Sequence, residues 1–190
     1  MKLGVFASSL VIAAALAGEA RAADFVPSPT RVHLSLAFSH WIGKTFVAPD
    51  GFKTPAITLG VRPRRSWLEL QGRYVVSLVG LPLPSGRTGN VGFASIAALG
   101  SHELGFGRQS LNGFAGPEIS LAHTPDGVGW GVGLVLGLQW MMRTGWAHNH
   151  SMGGFFATHV VVYALPGDHG IFKDPRRDAH IDLGVVTTLF

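Results

Sequence analysis

The sequence contains no cysteine, so no disulfide braces the fold, no thiolate serves as nucleophile or metal ligand, and no lipid anchor can follow an export signal. Charge is also scarce: Asp, Glu, Lys and Arg make up 14% of the 190 residues, against about 25% in ordinary soluble domains. The formal net charge of +4 is too small an excess to suggest a nucleic-acid partner. Beyond the N-terminus, no stretch reaches the ~18 uninterrupted apolar residues of a membrane helix. What the chain does have is 47% hydrophobic residues and 26 glycines. Too few charges to cover a water-facing surface, with no membrane helix, leaves the closed β-barrel, which pairs all its backbone groups between strands.

The N-terminus runs from Met1 and Lys2 through an apolar stretch, Leu3 to Gly18, to Ala20-Arg21-Ala22. A basic start, a short apolar middle and a small-x-small site make a cleavable secretory signal. Residues 1–22 are therefore expected to be removed, and residues 23–190 to form one domain. Without Lys2, Arg21 and Glu19 the balance is thirteen basic against ten acidic residues, or +3.

A barrel requires short alternating segments separated by turn residues. The segments are Arg31 to Trp41, Pro55 to Arg62, Ser66 to Val79, Val91 to Ser101, Leu111 to His123, Gly129 to Arg143, Gly153 to Leu165 and Ala179 to Phe190. The third sets Leu68, Leu70, Tyr74, Val76 and Leu78 against Glu69, Gln71, Arg73 and Ser77. Lipid does not tolerate that second face, whereas a polar lumen does. The seventh is apolar on both faces apart from Thr158 and His159, so its register stays open.

The clearest segment is the sixth. Trp130, Val132, Leu134, Leu136, Leu138, Trp140 and Met142 occupy one face, and Gly131, Gly133, Val135, Gly137, Gln139, Met141 and Arg143 the other. Ten residues separate the two tryptophans, ~33 Å of strand or ~25 Å along a membrane normal at ~40° tilt, the height of a barrel's apolar band. The glycines are expected to be lumen-side gaps for side chains such as Arg73 or Glu118. Arg62, Glu69, Arg73, Glu118, Gln139 and Arg143 all fall on predicted inner faces, where eight strands leave just enough room for side chains to fill the interior.

With both termini inside, the outer loops are Ile42 to Thr54, Gly80 to Asn90, Thr124 to Val128 and Pro166 to Asp178. The inner turns are Pro63 to Arg65, His102 to Ser110 and Thr144 to Met152, two of them longer than such barrels prefer.

The densest reactive cluster is Trp146-Ala147-His148-Asn149-His150-Ser151. In extended chain His148 and His150 point the same way and could share a metal ion. The further ligand candidates, His102, Glu103 and His159, have no spacing that nominates them. The stretch invites comparison with the outer-membrane lipid A deacylases, eight-stranded barrels with a catalytic His-x-Ser motif and a later acidic partner. Here the order is His148-x-His150-Ser151, which departs from that spacing, and neighbouring strand residues face opposite ways. Asp168, His169, Asp174, Asp178 and His180 lie in or beside the last outer loop, where a rim site is geometrically possible.

The signal-like start, alternating strands, aromatic strand ends and terminal Phe190 together resemble the small outer-membrane β-barrel proteins of Gram-negative bacteria. The resemblance implies an all-β, eight-stranded, antiparallel, up-and-down transmembrane barrel with a structural or interaction role and a filled lumen. It implies outer-membrane lipids, lipopolysaccharide and the membrane's assembly machinery as partners, no cofactor, and a monomer. The alternatives are a lipid-modifying enzyme using His148, His150 or Ser151, and a soluble lipocalin-like carrier with the oily face of residues 130–142 turned inward.

Overall fold

The computed structural model describes residues 30–42, 51, 53–63, 66–82, 87–125, 127–144, 150–164 and 176–189. Among the described residues ten strands appear in chain order: β1 (Arg31–Trp41), β2 (Lys53–Arg62), β3 (Leu68–Val76), β4 (Leu81–Pro82), β5 (Thr88–Gly89), β6 (Gly92–Phe106), β7 (Gln109–Thr124), β8 (Gly127–Arg143), β9 (Ser151–Ala164) and β10 (Arg176–Thr188). Eight of them close into an antiparallel barrel in the order β1-β10-β9-β8-β7-β6-β3-β2, while β4 and β5 form a separate small hairpin. Among the described residues, no helix is long and apolar enough to cross a membrane.

The register fixes the barrel's shape. From Trp41 the partners run through His180, His159 and Val135 to Gly116, and the β6–β7 and β2–β3 registers, continued past their paired residues, carry the path through Leu99, Glu69 and Arg62 to Arg31, ten residues back along β1. With ~3.3 Å per residue and ~4.8 Å between strands, a stagger of ten over eight strands tilts each strand by about 41°, inside the range of closed barrels. The same geometry gives a backbone radius of about 8 Å, which side chains can fill. Pro117 has no N–H to donate, and the β6–β7 pairing skips Ala98 and Leu99 opposite Gly116 and Pro117 before resuming in the same register.

Alternation decides which residues face out. All seven residues of the even face of β8, Trp130 through Met142, are exposed, with Leu134 at 66%. Leu36 and Phe38, Ile57 and Leu59, Leu70 and Tyr74, Ile96, Ile119 and Leu121, Val160, and Leu183 and Val185 carry the same apolar surface across the other seven strands. Aromatic side chains mark both ends of this surface: Phe38, Tyr74 and Trp130 toward the loop end, and Trp67, Phe106 and Trp140 toward the end that holds the termini. The lipocalin-like alternative needed the oily face of β8 inward, and the register turns it outward.

Several expectations are corrected. His102 to Ser110 is not a long turn, because β6 and β7 continue to a two-residue turn at Gly107 and Arg108. Gly107 adopts φ 63°, where a side chain would be strained. Arg143 is exposed at the end of β8 rather than inside the lumen. The open register of β9 resolves with Phe155, Ala157, His159 and Val161 inward and Thr158 outward between them. Gly137 does not make room for Arg73 or Glu118. A Cβ there would meet the ring of Phe114 at 2.2 Å, so an aromatic ring takes that space.

Candidate functional site

The polar interior is the candidate site. It forms two layers, because inner-facing positions recur every second residue on strands of steep tilt. In the upper layer, Arg73 on β3 reaches across to Asp182 on β10. Its Nε donates to Oδ2 at 2.6 Å and its Nη2 to Oδ1 at 2.8 Å. Nη2 also donates to Ser39 Oγ at 2.7 Å, and Ser39 in turn donates to Asp182 Oδ1 at 2.6 Å. Asp182 is 0% exposed. A buried carboxylate with a two-point guanidinium partner is the arrangement in which such a charge is tolerated at all.

Beside that pair, His159 Nδ1 donates to Glu118 Oε2 at 2.7 Å, and Glu118 also accepts from Ser120 Oγ at 3.3 Å. The other ring nitrogen, Nε2, lies 3.6 Å from Asp182 Oδ2. His180, the backbone partner of His159, stacks on it at 4.7 Å with the rings 8° from parallel. Trp41 packs on the imidazole of His180 and on Phe93. These two aromatic residues, with Val75, Leu81, Val91 and Val161, supply an apolar buried cluster at the loop end of the lumen.

The lower layer is a connected polar network. Glu103 accepts from Arg31 Nη1 at 2.6 Å and from Arg62 Nη2 at 2.5 Å. Arg62 Nη1 donates to Asn112 Oδ1 at 3.4 Å, and Asn112 Nδ2 donates to Gln139 Oε1 at 3.3 Å. Gln71 Nε2 donates to Glu69 Oε1 at 2.6 Å, and His33 Nε2 lies 3.3 Å from the same oxygen. A Cβ on Gly60 would meet the His33 ring at 2.2 Å, so this glycine is where the ring finds its room. Between Arg31, His33, Arg62, Glu69, Asn112, Gln139, Met141 and Thr188 a void of ≈ 10 Å³ remains, enough for about one water molecule. Three arginines face four carboxylates across the interior, and the side chains occupy its bore.

Of the site residues named from sequence, His148 lies outside the described residues, as do Asp168, His169 and Asp174. His150 sits at the end that holds the termini. Its Nδ1 lies 2.8 Å from Thr144 Oγ1 and its Nε2 3.2 Å from Thr187 Oγ1. Ser151 begins β9, and its backbone N–H donates to Thr188 Oγ1 at 2.7 Å. Both nitrogens of His150 are thus engaged by threonine hydroxyls rather than directed at Ser151. His180 belongs to the lumen and not to a rim site. The residues that do converge, His159, His180 and Asp182 with Arg73 and Glu118, were not grouped from sequence. One signal was present: His180 and Asp182 stand two apart on a strand and so share a face.

The fold and interior define the class, a closed eight-stranded antiparallel barrel with an oily exterior and a charged, filled lumen. Compared with solved structures, the chain is similar to Neisserial surface protein A (NspA), at 10% identity over 87% of this chain and 100% of that one, with a TM-score of 0.49. It is also similar to the outer membrane protein AlkL, as determined in DMPC lipid bilayers, at 13% identity over 90% of this chain and 95% of that one, with a TM-score of 0.40. No family model matches the sequence, and no curated protein matches it. The fold rests on the chain's own strand pairing.

Proposed function

We propose that the chain is a small outer-membrane barrel of a Gram-negative bacterium whose interior serves to hold the wall together rather than to conduct. Its role is structural or interactive: the wall spans the bilayer, and the loops at the end away from the termini are displayed to the outside. Its partners are then the surrounding lipids, lipopolysaccharide and the outer-membrane assembly machinery, and it acts as a monomer without a catalytic cofactor.

One observation carries this reading. Seven consecutive outward positions on β8 are all large and apolar, and all exposed, on a wall whose inward positions include Arg62, Glu69, Arg73, Glu118 and Asp182. A water-soluble barrel would invert that arrangement, since exposed apolar patches beyond a few hundred Å² mark a surface that something apolar covers. The test is fractionation of cells expressing the full chain. The protein is expected in the outer-membrane fraction, resisting salt and alkaline extraction, released by detergent, and migrating faster on gels when unheated. Recovery in the soluble fraction without detergent would overturn the proposal.

A further inference from the structure

The upper lumen contains a group that the ion pairs do not explain. His180 is 1% exposed, and among the described residues neither of its ring nitrogens has a hydrogen-bond partner. Buried polar atoms are almost always satisfied, so a buried imidazole with both nitrogens bare calls for a partner. The groups facing it are the stacked ring of His159, the guanidinium of Arg73 and the indole of Trp41, whose own N–H also lacks a partner among the described residues.

The neighbouring geometry points to a cation. Because His159 Nδ1 donates to Glu118, its Nε2 is the nitrogen left to face Asp182 Oδ2 across 3.6 Å. One ligand atom from each of His159, His180 and Asp182 lies within 4.8 Å of the other two. Tetrahedral zinc with bonds of ~2.0–2.1 Å holds its ligands about 3.4 Å apart. The His159–Asp182 pair is already near that spacing. His180 would reach it by a turn of its ring, which no hydrogen bond among the described residues holds in place.

The donor set and its surroundings select the kind of ion. Two imidazoles and one carboxylate suit zinc and the later first-row divalent metals, whereas calcium and magnesium take oxygen ligands. Glu118 on His159 Nδ1 is the outer carboxylate that commonly orients a metal-bound histidine. Ser39 and Arg73 fix Asp182 from the other side and leave Oδ2 a lone pair toward His159. With the imidazoles neutral, Arg73, Asp182 and Glu118 sum to a single negative charge, which favours a cation.

We propose that His159, His180 and Asp182 bind one divalent transition-metal ion of the zinc type inside the lumen, where it clamps β9 to β10, with Glu118 as the positioning residue for His159. Since Trp41, Phe93 and their apolar neighbours are buried at the loop end, the ion is taken up as the barrel closes.

The test is to refold the full chain in detergent with Zn²⁺ or Co²⁺ alone, remove free metal by dialysis, and measure bound metal by elemental analysis and the visible spectrum of the Co²⁺ form. One ion per barrel is expected, with the intense bands of a low-coordinate Co²⁺ site. His180→Phe keeps a ring against His159 and Trp41 but removes both nitrogens, so it is expected to fold and to lose the ion. His180→Asn is the second variant should Phe not be accommodated, and His150→Ala is expected to keep the ion. The gel shift between heated and unheated samples reports folding separately. A folded wild type that retains no metal, or a folded His180 variant that retains one ion per barrel, overturns the proposal.

Discussion

Breaking the pair between Arg73 and Asp182 is expected to be among the most damaging changes the wall can suffer, although neither side chain touches lipid. In D182N the guanidinium stays buried and loses the carboxylate that accepted from it at 2.6 and 2.8 Å. The amide oxygen still accepts from Ser39 and Arg73 Nη2, but the NH2 group that replaces Oδ2 confronts Arg73 Nε donor to donor. Hydrogen bonds to a charged group are each worth ~1.5–3 kcal/mol net, and simple addition would give an excessive figure because these bonds form one unit. Removing one partner of a buried ion pair generally costs about 3–5 kcal/mol, a fall of roughly 10² to 10³·⁵ in the folding constant. The larger part of that loss is the stranded charge rather than the pair's intrinsic worth. The double variant Arg73→Met with Asp182→Leu, which removes both charges at similar volume, is therefore expected to recover most of the stability. The assay is reversible urea unfolding in detergent micelles followed by tryptophan fluorescence, with chelator present so that metal plays no part. If D182N unfolds within about 0.5 kcal/mol of the wild type, the range of surface changes, the pair does not hold the lumen. If the double variant is worse than D182N, packing around these side chains outweighs their charge.

Other predictions test other parts of the wall. Leu136 faces outward midway along β8, so Leu136→Arg is expected to destabilise the inserted barrel by ~2–4 kcal/mol and to lower its yield in the outer membrane; insertion at wild-type yield and stability would place this face wrongly. Gly60→Val puts side-chain atoms where the His33 ring lies. It is expected to cost ~1–3 kcal/mol by overpacking, measured in the same urea titration, whereas an unchanged midpoint would show that the ring moves freely. Overexpression of the wild type, and of Ser151→Ala and His148→Ala, is expected to leave the acyl pattern of lipid A unchanged by mass spectrometry. Loss of an acyl chain with the wild type alone would restore the enzyme reading.

The sequence determined the strands and their faces almost by itself, because the pleat repeats every two residues and lipid and lumen demand opposite chemistries. Trp130 to Met142 and the series Glu69, Gln71, Arg73 were legible for that reason, and β1 falls on the residues expected of it. Where both faces were apolar, as in β9, alternation carried no information, and only pairing with β8 and β10 placed His159 inside. The turn at Gly107 was hidden because its hairpin overhangs the neighbouring strand β3, whose pairing with β6 ends at Leu68 and Gly100, and an overhanging strand carries weak alternation.

The interior partners were beyond the sequence altogether. Arg73 and Asp182 are 109 residues apart, and His159 meets Glu118 across 41. A residue's face follows from its place on one strand, but its partner across the bore depends on the stagger accumulated around all eight. That stagger is a property of the closed ring, so it was the tertiary structure that decided which charges meet and that set two histidines and an aspartate together at the centre of the barrel.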